Sequence, residues 1–425
     1  MGILSSLYTG ITGMSAQGEA LSIYGDNISN AGTNGFKVSR PEFQDVIAKS
    51  LKGILGGNQI GRGTRLAAVN PVFTQGSIIQ TESASDLAIT GDGFFVLDSV
   101  DGRSFTRDGS FHFNKDGELI NADGYQVLGF QADAGGKITS KLGPLSVMQS
   151  VIDAQGSERV QLFMNLDSRQ PINKGFNPED PDRTADFATG VTVYDASGTP
   201  HAVTVYFNKT EENEWEWRAM ANGEEIRGGE PGKMTEQAKG SITFKDGVLY
   251  AQDTDYSEFN FLNGNPDQEI KFDFGDDVKS GGDGRQISQY GSESEVFKQL
   301  QDGYKGGTLS GLSFSDDGVL VGLFSNGESM NFGQISLAKF ENPEGLFKMG
   351  QNRFKESRLS GQPTTGKPNT GGRGRVQAKN LEASTTDIAN EFINLMNAQR
   401  NFQANSRVIS VADEMLQEVL NLKRP

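Results

Sequence analysis

The residues predict a mainly β protein with α-helical termini, in which nested β domains are inserted between N- and C-terminal helices that form a coiled coil. Three observations carry this expectation. Apolar residues at both chain ends recur in steps of three, four and seven, the spacing of a helical stripe. Between the ends, short apolar runs alternate with Asp-Gly pairs, the strongest short hairpin signal. The middle of the chain keeps the two-residue period of strands but becomes strongly acidic, with 28 Asp plus Glu against 14 Lys plus Arg over residues 151–300.

Composition excludes several classes of function. The net charge of -16 argues against nucleic acid and against insertion at an anionic membrane, both of which call for a basic surface. With no cysteine there is no disulfide, thiolate metal site or Cys nucleophile. Two histidines, His112 and His201, leave almost no material for His-based catalysis or zinc binding, and no cofactor is implied. No apolar run reaches the roughly 18 residues of a membrane span, and no cleavable secretory signal is visible at the N-terminus. Glycine, at 54 of 425 residues, suits a turn-rich β protein.

In chain order, residues 1–30 form the first helix, with Leu4, Leu7, Ile11, Met14, Leu21 and Ile28 as its stripe. It should end near Asn30-Ala31-Gly32 in a left-handed cap. Gly2 and Ser6 also match an N-myristoylation pattern, although Leu4 and Leu7 are already explained as stripe. Residues 31–70 are a connecting stretch broken by Pro41, Gly53, Gly56, Gly57, Gly61 and Gly63. A β core domain follows over 71–150, with Asp-Gly turns at 92–93, 101–102, 108–109, 116–117 and 123–124. Calcium loops are the rival reading, but their ligands need fixed alternate positions and these pairs are unevenly spaced.

Residues 151–303 form the acidic outer domain. Asp273-Phe274-Gly275 spells a kinase magnesium motif without the companion motifs of a kinase. The clusters Glu211-Glu212-Glu214-Glu216 and Asp273-Asp276-Asp277 invite a glycosidase reading, but solvated charge explains them more simply. From 304 to 363 the β core resumes, with turns at Asp317-Gly318 and Asn326-Gly327. A Gly/Pro-rich linker over 361–375 lies within the second connecting stretch, 364–383. The last helix, within 384–425, carries Ile388, Phe392, Leu395, Phe402, Ile409, Leu416 and Leu420, with Ser384 and Asp387 placed as a capping box. At about 1.5 Å per residue it is a rod of roughly 55 Å that needs a partner. The terminal helices pair with each other, with neighbouring copies, or with both; a plain intramolecular hairpin is the simplest alternative.

Several strings resemble one family. Asn27-Ile28-Ser29-Asn30-Ala31-Gly32-Thr33-Asn34-Gly35-Phe36-Lys37 resembles the N-terminal signature of bacterial flagellar rod and hook axial proteins, with Asn27, Asn30, Thr33, Gly35, Phe36 and Lys37 as its defining positions and Ser29 where Ala is usual. Asp86 to Phe95 and Thr106 to Phe111 resemble the core of that family, as do Leu337-Ala338-Lys339-Phe340 and Asn342-Pro343-Glu344-Gly345-Leu346. Near the C-terminus, Ala398 to Arg407 with Gln399, Arg400 and Asn405 resembles the end of flagellar axial proteins. Asn401 and Ser384-Thr385-Thr386 depart from the family pattern.

The resemblance implies a structural subunit without enzymatic chemistry. The acidic insertion makes the chain long for a rod member and points to the hook. Copies would polymerise into a curved, flexible helical tube that joins motor rod to filament and transmits torque. The implied partners are further copies of the chain, the rod, hook-cap and hook–filament junction proteins, and the flagellar export apparatus. The implied place is the extracellular hook, reached without a cleavable signal. A distal rod subunit, or a surface binding protein oligomerised by its terminal helices, are the alternatives.

Overall fold

The computed structural model describes residues 2–46, 49–50, 59–99, 102–147, 149–264 and 267–421. The expected breaks at Gly53, Gly56 and Gly57, Asp101 of one Asp-Gly pair, and the Leu420 side chain lie outside the described residues. The chain is mainly β, with a helix at Gly2–Ser29 and another at Ile388–Asn421. It divides into two compact units. One comprises Met1–Met148, Gly311–Gly322 and Ser329–Pro425; the other comprises Gln149–Ser310 and Leu323–Glu328.

In the first unit, Phe94–Ser99 is the central strand because its run of apolar residues can be buried on both faces. It pairs antiparallel with Gly102–Thr106 on one side, and with Gln126–Ala132 and Leu337–Lys339 on the other. Its alternate side chains feed two cores. Phe95 and Leu97 pack with Leu87, Ile89, Phe111, Leu119 and Ile335. Phe94 and Val96 pack with Phe105, Phe340, Leu346 and Phe354. Phe94 meets Phe73, Phe340 and Phe354 edge-on at centroid separations of 5.3 to 5.9 Å, the arrangement that ring quadrupoles favour.

The Asp-Gly pairs divide in their roles. At 116–117, 123–124 and 317–318 they close turns in which glycine takes positive φ, as at Gly117 (76°) and Gly318 (71°). Two of the expected hairpins are corrected. The strands flanking Asp92-Gly93 pair elsewhere, Leu87–Thr90 with Arg375–Ala378 and Phe94–Ser99 with its own neighbours. Gly109 is a glycine because the backbone of Leu87 passes where a Cβ would stand, and its carbonyl accepts from Leu87 and Phe111. The stretches expected as connectors are also more ordered than their composition suggests. Ser39–Asp45 pairs with Thr64–Pro71, Thr364–Gly366 with Leu337–Lys339, and Asn380–Glu382 with Ile78–Gln80.

The second unit is built on an antiparallel meander of five strands, Phe187–Tyr194, Pro200–Glu211, Glu214–Asn222, Met234–Lys245 and Val248–Ser257. Alternate residues of these strands, including Val203, Val205, Phe207, Trp215, Trp217 and Ile242, enter one core with Phe259, Phe261, Phe272 and Phe274. The kinase-like triplet is structural here. Phe274 is buried, and Asp273 accepts from the Gly275 backbone N–H and the Gln161 amide, both at 3.0 Å. Glu216 of the carboxylate cluster pairs with Arg218 at 2.8 Å and Lys239 at 2.6 Å.

Candidate assembly interface

The terminal helices lie antiparallel against each other, and small residues form the contact. Gly10, Gly13, Ala16 and Ala20 are the buried positions along the middle of the N-terminal helix. A methyl group on Gly10 would stand 2.9 Å from Ile409 Cγ1, and one on Gly13 2.8 Å from the Asn405 side-chain amide. Glycine inside a helix costs about 1 kcal/mol relative to alanine; here it allows the two backbones to approach. On the C-terminal helix, Glu391, Ala398 and Ala412 are buried, while Leu395, Phe402, Asn405, Ile409 and Leu416 are half-buried. This is a heptad seam, but with small and polar residues on one of its two lines.

The predicted stripe residues therefore divide. Leu395, Phe402, Ile409 and Leu416 line the seam, and Leu7, Met14, Leu21 and Ile28 flank it half-buried. Leu4 (64% exposed), Ile11 (43%), Ile388 (50%) and Phe392 (50%) face away, together with Ile393, Met396, Val411 and Met415. The capping expectation is corrected as well. The helix begins at Ile388, and Asp387 alone is the cap, accepting from the backbone N–H of Ala389 at 2.9 Å and of Asn390 at 3.2 Å. Ser384 instead accepts from the Thr386 backbone N–H, outside the helix.

The signature string forms the joint between this helix pair and the first unit's sheet. Asn27 is fully buried; its amide donates to the Ser39 carbonyl at 2.9 Å and to Glu391 Oε2 at 3.1 Å, and its oxygen accepts from the Ser39 N–H. Asn30 accepts from the Thr33 hydroxyl at 3.1 Å. The left-handed residue is Gly35 (φ 67°), not Gly32 as expected at the cap, and a Cβ on Gly35 would stand 2.5 Å from the Asp108 nitrogen. Phe36 is buried under the Lys348 ammonium, 5.2 Å from its ring centre.

Lys37 then enters a buried ion cluster. Its Nζ donates to Glu382 Oε1 and to the Thr74 carbonyl, both at 2.6 Å, while Arg107 Nη1 donates to Glu382 Oε2 at 3.3 Å. Burial pulls the Lys37 ammonium and the Arg107 guanidinium below their ordinary pKa values, against the opposing pull of Glu382. Of the remaining signature residues, Asn405 faces Gly13, whereas Gln399 and Arg400 are exposed. Sequence reasoning missed Gly10, Gly13, Ala16 and Ala20, and it took Glu391, Ala398 and Ala412 only as members of family strings, although their seven-residue spacing with Asn405 was there to be read as a seam.

Comparison with known proteins accounts for each of these parts. Family profiles match in chain order: the flagella basal body rod protein (7–37), the flagellar hook protein FlgE/F/G D1 domain (88–157), the flagellar basal body protein FlaE D2 domain (165–304) and the flagellar basal body rod FlgEFG protein C-terminal region (377–422). The flagellar hook protein FlgE of Borreliella burgdorferi is 32% identical over 99% of this chain and 100% of its own length. This chain belongs to the flagellar hook protein family. The hook proteins of Treponema pallidum and Salmonella typhimurium are each 30% identical, over 99% and 97% of this chain and 100% and 98% of theirs. A solved structure, that of Helicobacter pylori hook protein FlgE2, shares the fold over 72% of this chain and 100% of its own, with a TM-score of 0.54 at 15% identity. The chain is thus a structural subunit of the bacterial flagellar hook, a motility component located in the flagellum. Among the described residues, no helix is long and apolar enough to cross a membrane.

Proposed function

We propose that the outward faces of the terminal helix pair are the surfaces on which copies of this chain polymerise. The observation that carries this is the C-terminal helix, which has apolar side chains on more than the one face its partner covers. Ile388, Phe392, Ile393, Met396, Val411 and Met415 are all at least 43% exposed. Exposed apolar side chains gathered on a helix mark an interaction surface, and further copies of the same helix pair supply its partner. Head-to-tail contacts between copies, where their rotation does not close a ring, propagate as a helical tube.

The tube is curved and flexible, joins the motor rod to the filament and transmits torque. At its ends the same helical surfaces meet the rod, hook-cap and hook–filament junction proteins. The subunits leave the cell through the flagellar export apparatus. Of the stripe residues proposed to act in assembly, Leu4, Ile11, Ile388 and Phe392 would meet neighbouring copies, while Leu7, Met14, Leu21, Ile28, Leu395, Phe402, Ile409 and Leu416 would hold the helix pair that presents them. The test compares the full chain with its Phe392→Glu/Val411→Glu variant by sedimentation and negative-stain microscopy. Curved tubes from the parent and a soluble, equally helical variant are expected. A closed dimer or trimer from the parent, or tubes from both, would overturn the reading.

A further inference from the structure

The seam between the terminal helices places two polar side chains of the C-terminal helix at matching heights, Glu391 in a hydrogen bond and Asn405 packed into the space left by a glycine. Asn27 meets Glu391 at one end, and Gly13 meets Asn405 fourteen residues away on each helix, two heptads in opposite directions. Midway between them, Ala20 and Ala398 are both buried, one heptad from each contact. We infer that Glu391 and Asn405 are the specificity-determining residues of assembly: they hold the N- and C-terminal helices of the seam in one register. The outward apolar residues are thereby left, in fixed phase, for neighbouring copies. This rests on the polymerisation proposed above.

The physical argument is one of unequal costs. Along the line where Gly and Ala face Ala, little distinguishes one register from the next, because small side chains interlock weakly. Leu395, Phe402, Ile409 and Leu416 repeat every seven residues and so fit a one-heptad slip as well. A slip by one heptad would set Asn27 beside Ala398 and leave a fully buried amide without its carboxylate acceptor. The same slip would bring Asn405 against Ala20, where a methyl group occupies the space that Gly13 leaves open. A polar residue at a seam position is a known way of fixing register at some expense of stability. Glu391 is also tied, through Asn27, to Ser39. The register of the helices is therefore referenced to the strand Ser39–Asp45 and not only to the helices themselves.

The absence of cysteine makes the register directly readable. Ala20→Cys/Ala398→Cys is introduced into the full chain, which is assembled and then oxidised. The expected product is a disulfide within each chain, seen as a reducible mobility shift without a ladder of linked chains. Adding Glu391→Ala and Asn405→Leu should lower the intrachain yield at least fivefold at equal helix content. Glu391→Gln, which still accepts from Asn27, should restore it when Asn405 is kept. If the unpinned chain does not polymerise, the same oxidation of soluble chains gives the yield. A ladder of linked chains in the pinned protein, or an undiminished intrachain yield in the unpinned one, would overturn the inference. Loss of tubes in the parent would strike the polymerisation reading instead, because the disulfide is scored within one chain.

Discussion

At the scale of single residues, the second unit carries a polar cluster whose chemistry the chain order conceals. His201 stacks on Phe261 at a centroid distance of 3.9 Å, with Nδ1 2.5 Å from Glu225 Oε2 and Nε2 3.4 Å from Asp195 Oδ2. Burial pushes the Asp195 carboxyl up, but hydrogen bonds from the Thr199 N–H, His201 and the Ser197 N–H outweigh it, leaving its pKa below the ordinary 3.8. A carboxyl with a depressed folded pKa adds stability above its unfolded value, and that contribution is lost as pH falls through the folded value. The second unit should therefore lose stability below about pH 4. Asp195→Asn, which can still accept from both backbone N–H groups, should flatten that acid limb in urea titrations. An unchanged slope would show that another carboxylate is responsible.

At the scale of elements, the two helices show what periodicity reveals and where it stops. Their existence and extent were legible because long runs without Pro and with apolar steps of three and four admit few other structures. Which face meets which was not legible, because Gly10, Gly13, Ala16 and Ala20 carry no hydrophobic signal. The larger Leu4, Ile11 and Phe392 drew the stripe to the opposite side. The capping box failed for a similar local reason, since Thr385 and Thr386 lie in the segment that binds the signature loop. There Thr385 donates its N–H to the Phe36 carbonyl and accepts from the Val38 N–H with its hydroxyl. Asp387→Ala should cost about 1 kcal/mol, the usual value of a cap. The effect should appear as faster amide exchange over residues 388–391, with the β sheets unaffected.

At the scale of the whole molecule, two units with separate cores should unfold as separable events, and composition supplies the probe. Both tryptophans, Trp215 and Trp217, are buried in the second unit's core. Their fluorescence therefore reports on that unit, while far-UV circular dichroism reports on both. Glu382→Ala removes the one carboxylate shared by Lys37 and Arg107 in the first unit and leaves two cations buried. Breaking such a cluster costs about 3–5 kcal/mol. The variant should shift part of the dichroism transition and leave the fluorescence transition in place; a joint shift would mean the units unfold together.

The sequence by itself determined that this is a turn-rich β protein between two helices, with the signature strings of a flagellar axial subunit. Those features rest on local physics: helical and strand periods, glycine's access to positive φ, and contiguous residues. The tertiary structure decided which Asp-Gly pairs turn and which merely allow close passage, and it gathered Lys37, Arg107 and Glu382 from distant parts of the chain. It also decided that small residues of the N-terminal helix form the seam with the C-terminal helix and leave Leu4, Ile11, Ile388 and Phe392 outside. Each of these depends on what approaches a residue from far along the chain, and no local pattern encodes that approach.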